Sequence, residues 1–225
     1  MTPLRQEFIE FALASGVLSF GQFTTKAGRR SPYFFNAGGF NRGALLGRLA
    51  GFYAHTLLEA RAAGRLKFDM LFGPAYKGIT LASATAVALA ALGVDLPFAF
   101  NRKEAKDHGE GGLIVGAPLS GRVVIVDDVI TAGTSVRESV ELIRGADAQP
   151  AGVVIAIDRM ERAGADDALS ARSAVQEVEA SFDLPVIAIA SLADLFAFMD
   201  SSSAQAGLAR PYRAAMEQYR QRYGA

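Results

Sequence analysis

Two spacings of apolar residues divide this chain: helical recurrence in some stretches and short unbroken runs in others. Thr2 can cap, and Pro3 can open, a helix that carries Phe8, Ile9, Phe11 and Leu13 and stops at Gly16. Phe20–Thr25 and Ser31–Asn36 read as short strands joined by the turn Lys26–Arg30. Gly43–Ala63 is a long helical pattern with Leu45, Leu46, Leu49, Phe52, Tyr53, Leu57 and Leu58 on its apolar face, closed by Gly64. From there the two spacings alternate. Strands are predicted at Phe68–Phe72, Leu96–Phe100, from Val123, at Val153–Ile157 and at Val186–Ile189. Helices are predicted at Gly78–Leu92, after Thr134, and at Ala171–Phe182, Leu192–Met199 and Pro211–Tyr223. Alternation of this kind predicts an α/β fold, a parallel doubly wound sheet with helices on both faces. Residues 1–65 do not alternate, and are expected to form an N-terminal lid lobe beside an α/β core of residues 66–225.

The stretch Val123–Val126 is a strand apolar on both faces, ended by Asp127 and Asp128. A small-residue turn follows through Val129, Ile130, Thr131, Ala132 and Gly133, and Val136, Val140 and Ile143 then recur at helical spacing. Thr134 or Ser135 suits the N-cap. Free N–H groups and the helix dipole make such a start an anion site, and a phosphate fits it. Two carboxylates repel a phosphate, so they are expected to face sugar hydroxyls or a metal ion on the same ligand. The turn is neither a Gly-x-x-x-x-Gly-Lys-Ser/Thr loop nor a dinucleotide Gly-x-Gly-x-x-Gly fingerprint.

Two further stretches carry charge to predicted strand ends, where ligands bind in sheets of this type. In Gly73-Pro74-Ala75-Tyr76-Lys77-Gly78 the glycines are expected to let backbone approach a second phosphate group, and Lys77 adds a positive charge. Asn101–Gly112 is polar apart from Ala105, and reads as a mobile exposed loop able to close over a diphosphate. Composition narrows the classes. Lys plus Arg number 23, as do Asp plus Glu, so no global basic field draws the chain to nucleic acid or anionic lipid. There is no cysteine, hence no thiol nucleophile, disulfide framework or thiolate metal site, which fits a reducing cytoplasm. The apolar stretch Ile79–Leu92 is too short and too interrupted for a membrane span, and Met1–Glu7 runs straight into an amphipathic pattern without a basic or apolar leader.

The strand, acid pair and Thr/Gly turn resemble the 5-phosphoribosyl 1-diphosphate (PRPP) signature of type I phosphoribosyltransferases. Ser31-Pro32-Tyr33-Phe34-Phe35-Asn36, Phe72–Ile79 and the string Phe100–Gly112 make the resemblance more specific: it is to the bacterial orotate phosphoribosyltransferases, over most of the chain. The resemblance implies phosphoribosyl transfer from PRPP to orotate with Mg²⁺, which the PRPP diphosphate mainly carries, in a cytoplasmic homodimer whose subunits share active sites. It implies catalytic roles for Lys106, His108, Asp127 and Asp128. PRPP would be bound by Lys26, Tyr76, Lys77, Arg102, Lys103, Lys106, His108 and the run Asp127–Ser135, that is Asp128, Val129, Ile130, Thr131, Ala132, Gly133, Thr134 and Ser135 included. Orotate would lie near Phe34, Phe35, Thr131 and Arg159. The resemblance also implies a cis peptide between Ala75 and Tyr76.

Elementary chemistry agrees with the base contacts. A flat anionic pyrimidine wants an aromatic face, and its carboxylate wants a guanidinium fork. Alternation along the strand turns only one of Phe34 and Phe35 inward, and Arg159 has acidic neighbours with which it could pair instead. A phosphoribosyltransferase for another base, a PRPP-sensing regulator and a non-catalytic PRPP-binding protein stay open at this stage.

Overall fold

The computed structural model describes the chain except residues 26–27, 107–111 and 165–167 and the side chains of 105 and 106. It begins with α1 (Pro3–Ala14), whose cap Thr2 accepts the Arg5 N–H at 3.4 Å. The antiparallel pair β1 (Leu18–Thr24) and β2 (Arg30–Phe35) forms a sheet of its own. Helix α2 (Gly43–Ala62) leads into the alternating part: β3 (Met70–Gly73), α3 (Lys77–Ala91), β4 (Phe98–Lys106), β5 (Gly112–Gly116), β6 (Arg122–Val126), α4 (Thr134–Gly145), β7 (Gln149–Asp158), α5 (Ala174–Phe182) and β8 (Val186–Ser191). Helices α6 (Leu192–Met199), α7 (Ala206–Ala209) and α8 (Arg213–Tyr223) close the chain. Capping boxes at Ser173 with Gln176 and at Ser191 with Asp194 start α5 and α6 where their apolar faces begin.

The large sheet has the order β5-β4-β3-β6-β7-β8, and β4, β3, β6, β7 and β8 run parallel. Alternation along each strand feeds two cores. Met70, Phe72, Val123, Ile125, Val153 and Ile155 pack with Val136, Val140, Ile143 and Val178 of α4 and α5. Leu71, Val124, Val126, Val154 and Ile187 face the other way, into a larger core that takes in α2, α3, α1 and α6 through Leu57, Leu81, Phe8 and Leu195.

Two features depart from the expectation. The sheet is not wholly parallel, since β5 pairs antiparallel to β4 at one edge. The stretch from Asn101 is not all loop either: β4 continues through Lys106 and pairs with Gly112, so its first half is strand, stabilised by backbone pairing rather than by apolar burial. Of the loop expected to be mobile, residues 107–111 lie outside the described residues. Because β3 ends at Gly73 opposite Phe100, the β4–β5 arm runs past the end of its neighbour. After β3 the chain moves outward to β4 and then returns to the other side of β3 as β6. The carboxyl ends of β3 and β6 therefore flank the switch in strand order, the place where sheets of this kind form their ligand crevice.

Candidate active site

Asp127 and Asp128 leave the end of β6 with their backbone still in the sheet pattern. The Asp127 N–H donates to the Val154 carbonyl at 3.0 Å, and the Ala156 N–H donates to the Asp128 carbonyl at 2.9 Å. The Tyr53 hydroxyl, from α2, donates to the Asp127 carbonyl at 2.7 Å. Both carboxylates are buried. The Asp127 Oδ1 accepts the Asp128 N–H at 2.9 Å, and the Asp128 Oδ2 lies 2.5 Å from the Lys77 Nζ. Burial, and next the Asp128 charge beside it, pushes the Asp127 carboxyl up to about 7. The Lys77–Asp128 pair spans the strand-order switch and brings the two sequence motifs together.

The turn after β6 meets the anion expectation by a different cap. Gly133, at φ +71°, is the N-cap of α4, and Thr134 is already helical. No side chain caps this end, and its first intrahelical bond is the Arg137 N–H to the Gly133 carbonyl. The N–H groups of Thr134, Ser135 and Val136 thus start a helix with no cap side chain over them. Thr131, Ala132, Thr134 and Ser135 are exposed around them. Ile130 and Val129 turn into the two cores, so only their main chain is available to a ligand.

The turn Gly73–Gly78 holds a cis peptide between Ala75 and Tyr76, as the resemblance implied. The Asn101 Oδ1 accepts the Ala75 N–H at 2.8 Å and fixes the turn to β4. The role expected of the glycines is corrected here. A Cβ on Gly73 would sit 2.0 Å from the Gly78 carbonyl oxygen, and one on Gly78 would sit 2.5 Å from the Pro74 Cδ. The missing side chains make room for the turn's own backbone, not for a ligand. Tyr76 projects outward, 73% exposed.

Arg102 donates to the Gly112 carbonyl across the arm at 3.2 Å, and Lys103 lies 3.5 Å from Glu138 of α4. His108 and Lys26 lie outside the described residues, as does the Lys106 side chain. Phe34 is 37% exposed and stacks on Phe23 at 5.5 Å, whereas Phe35 turns in toward Phe8 and Phe40. Arg159 follows β7, at the same end of the sheet as the acid pair, and makes a close ion pair with Glu161. Tyr53 and Asn101 were not distinguishable in sequence from ordinary packing and loop residues. Their roles depend on partners tens of residues away, and no local signal marks them.

Residues 46–186 match the phosphoribosyl transferase domain family. An orotate phosphoribosyltransferase of Herminiimonas arsenicoxydans is 66% identical over 224 residues, which span 100% of this chain and 99% of that protein. One from Cupriavidus necator is 65% identical, covering 98% of this chain and 95% of the relative. The crystal structure of an orotate phosphoribosyltransferase from Francisella tularensis superposes with a TM-score of 0.81 at 42% identity, over 97% of this chain and 100% of that one. Identity of that order along whole chains goes beyond a shared fold, and this chain belongs to the orotate phosphoribosyltransferase family.

Proposed function

We propose that the protein transfers the 5-phosphoribosyl group of PRPP to orotate, giving orotidine 5′-monophosphate and diphosphate in pyrimidine biosynthesis. The observation that carries this reading is the buried acid pair, joined to Lys77 across the strand-order switch and followed by a helix start with no cap side chain. One sugar phosphate fits all three parts. Asp127 and Asp128 take the ribose hydroxyls, and the N–H groups and hydroxyls of Thr131–Ser135 take the 5′-phosphate. Lys77 and the exposed Tyr76 face the diphosphate, joined by Arg102, Lys103, Lys106 and His108 of the arm. Phe34 offers the aromatic face to the base, with Lys26 close by, while Phe35 supports it from the core. Thr131 and Arg159 meet the orotate ring and its carboxylate.

No protein nucleophile is needed. The C1′–oxygen bond breaks as the electron pair leaves with diphosphate, and the orotate ring nitrogen forms the new bond to C1′ as its proton passes to the departing diphosphate. The protein positions the two substrates and stabilises the charge that grows on the leaving group. Mg²⁺ would be carried mainly by the PRPP diphosphate and would neutralise that group as it departs; the buried carboxylates of Asp127 and Asp128 suit such a ligand by taking the ribose hydroxyls beside it.

The reading includes residues 1–65 as a hood beside a core at 66–225; the separate β1–β2 sheet supports it, while α1 and α2 tie this part to the main sheet through a shared apolar core. It includes a homodimer in which the arm serves the neighbouring site, supported by the way β4 runs past β3. A cytoplasmic location agrees with the lack of cysteine, and no described helix is long and apolar enough to cross a membrane. The test is spectroscopic. Orotate absorbance should fall on adding PRPP and Mg²⁺, while uracil and adenine should give no product. Equal turnover of either control would refute the choice of base, and no turnover of any base would refute the transfer reaction.

A further inference from the structure

The carboxylate of Glu161 has no part in the reaction described above, yet it is largely buried beside the guanidinium expected to read the base. Its Oε1 lies 2.6 Å from the Arg159 Nη2, in an ion pair whose angle is off the hydrogen-bond line. The Arg159 Nε donates to the Tyr33 hydroxyl at 3.4 Å, and that hydroxyl donates to Glu161 Oε1 at 3.4 Å. The Tyr33 ring lies under the guanidinium, 5.2 Å from ring centroid to Cζ, and Tyr33 itself is fully buried.

A guanidinium has two edges that can meet a carboxylate: Nε with Nη2, and Nη1 with Nη2. The first edge is occupied by Tyr33 and Glu161. Among the described residues, Nη1 takes no partner, so the end of the fork is left for a ligand. The backbone is arranged to bring Glu161 into this place. Asp158 Oδ1 accepts the Met160 N–H at 2.8 Å, and Met160 takes a left-handed φ of +52°, which folds the chain back so that Glu161 returns beside Arg159. The other oxygen, Oε2, lies 3.6 Å from the Nη1 of Arg29, which is 4% exposed at the start of the β2 side of the hood turn.

We infer that Glu161 is a positioning residue of the base site: with Tyr33 it fixes one edge of the Arg159 guanidinium and presents the other edge to the carboxylate of the base. This rests on the reading that Arg159 meets that carboxylate. Without Glu161 the guanidinium keeps only a long bond to Tyr33 and turns among several rotamers, and ordering it again falls on substrate binding.

Steady-state kinetics of the full-length enzyme with PRPP, Mg²⁺ and orotate test it. Glu161→Ala should raise the orotate KM roughly 10- to 30-fold, the range set by loss of a charged partner beside a largely buried guanidinium. The PRPP KM and kcat should stay within about threefold. Glu161→Gln keeps an oxygen for Nη2 and should restore most of the orotate KM. Glu161→Ala combined with Arg159→Ala should be no worse than Arg159→Ala alone, because the positioned group is gone. An unchanged or lowered orotate KM in Glu161→Ala, while Arg159→Ala raises it, overturns the inference and leaves the base-site reading intact. A parallel rise of both substrates' KM also overturns it, since a general structural role does that. If Arg159→Ala leaves the orotate KM alone, the base-site reading fails and the inference falls with it. Should Glu161→Ala not fold, Tyr33→Phe removes the Nε partner while keeping the ring. It should raise the orotate KM severalfold, and no change there overturns the inference equally.

Discussion

Replacing Asp127 with asparagine should stabilise the ligand-free protein while destroying PRPP binding. Asp127 is 7% exposed, and its carboxyl is pushed from 3.8 up to about 7 by burial first and the Asp128 charge second. A raised folded-state value in an acid has a definite sign. The folded chain holds a proton that the unfolded chain has lost, so the stability from this group is fully present below about 4 and disappears as pH rises through about 7. Roughly 3 pH units at about 1.4 kcal/mol each put the cost of the ionised form near 4 kcal/mol. Asparagine is neutral at every pH, and its Oδ1 can still accept the Asp128 N–H that Asp127 accepts at 2.9 Å. At pH 8 the variant should gain about 2–4 kcal/mol, a rise in Tm on the order of 5–10 °C for a chain of this size. At pH 4 the difference should vanish, because Asp127 is then mostly protonated in the folded chain and half protonated in the unfolded one. Thermal unfolding of both proteins followed by circular dichroism from pH 4 to pH 8 measures the gap, and groups remote from Asp127 cancel in it. A variant less stable at pH 8, or a gap independent of pH, would refute the reasoning from burial.

Arg159→Ala should lower kcat/KM for orotate by roughly two to three orders of magnitude, the cost of leaving a buried charged partner unpaired, with Arg159→Lys recovering only part. Measured PRPP affinity should hardly move in either variant. Gly73→Ala should cost about 1–3 kcal/mol in chemical denaturation and abolish turnover, since its Cβ meets backbone at 2.0 Å; normal activity in that variant would show that the turn relaxes freely. Tyr53→Phe strips the donor from the Asp127 carbonyl and should lower stability by about 1 kcal/mol, visible as a drop of a few degrees in Tm.

Much of the fold could be read along the chain because each strand is bounded by a sharp change of composition. Val123–Val126 is apolar on both faces, and the structure buries it on both. Leu192–Met199 is a helix over the same residues that its spacing predicts. What escaped the sequence depended on pairing between distant residues. Strand β5 has only Leu113, Ile114 and Val115 to mark it, and it exists because β4 supplies a partner. Asn101 to Lys106 look like loop because their polarity suits solvent, yet an edge strand needs backbone partners more than apolar side chains. The N-cap of α4 went to Gly133 rather than Thr134 because the chain leaves the acid pair with a left-handed residue, a conformation glycine adopts readily. At the site, the acid pair and Lys77 were legible from their neighbours in sequence. The partner of Arg159 was legible only as one of several nearby acids, and a left-handed Met160 decides that it is Glu161.

The way the acid pair is held separates position from chemistry. The main chain of Asp127 and Asp128 is fixed by bonds to Val154 and Ala156 and by the Tyr53 hydroxyl on a carbonyl, none of which uses a carboxylate, and the carboxylate contacts to the Asp128 N–H and Lys77 add to that frame. The sheet therefore works as a socket with two interchangeable fittings. A side chain of similar size can be exchanged at either place while the peptide that carries it stays where the strands put it. The ligand preference of this crevice can thus be rewritten, by design or by descent, without renegotiating the fold.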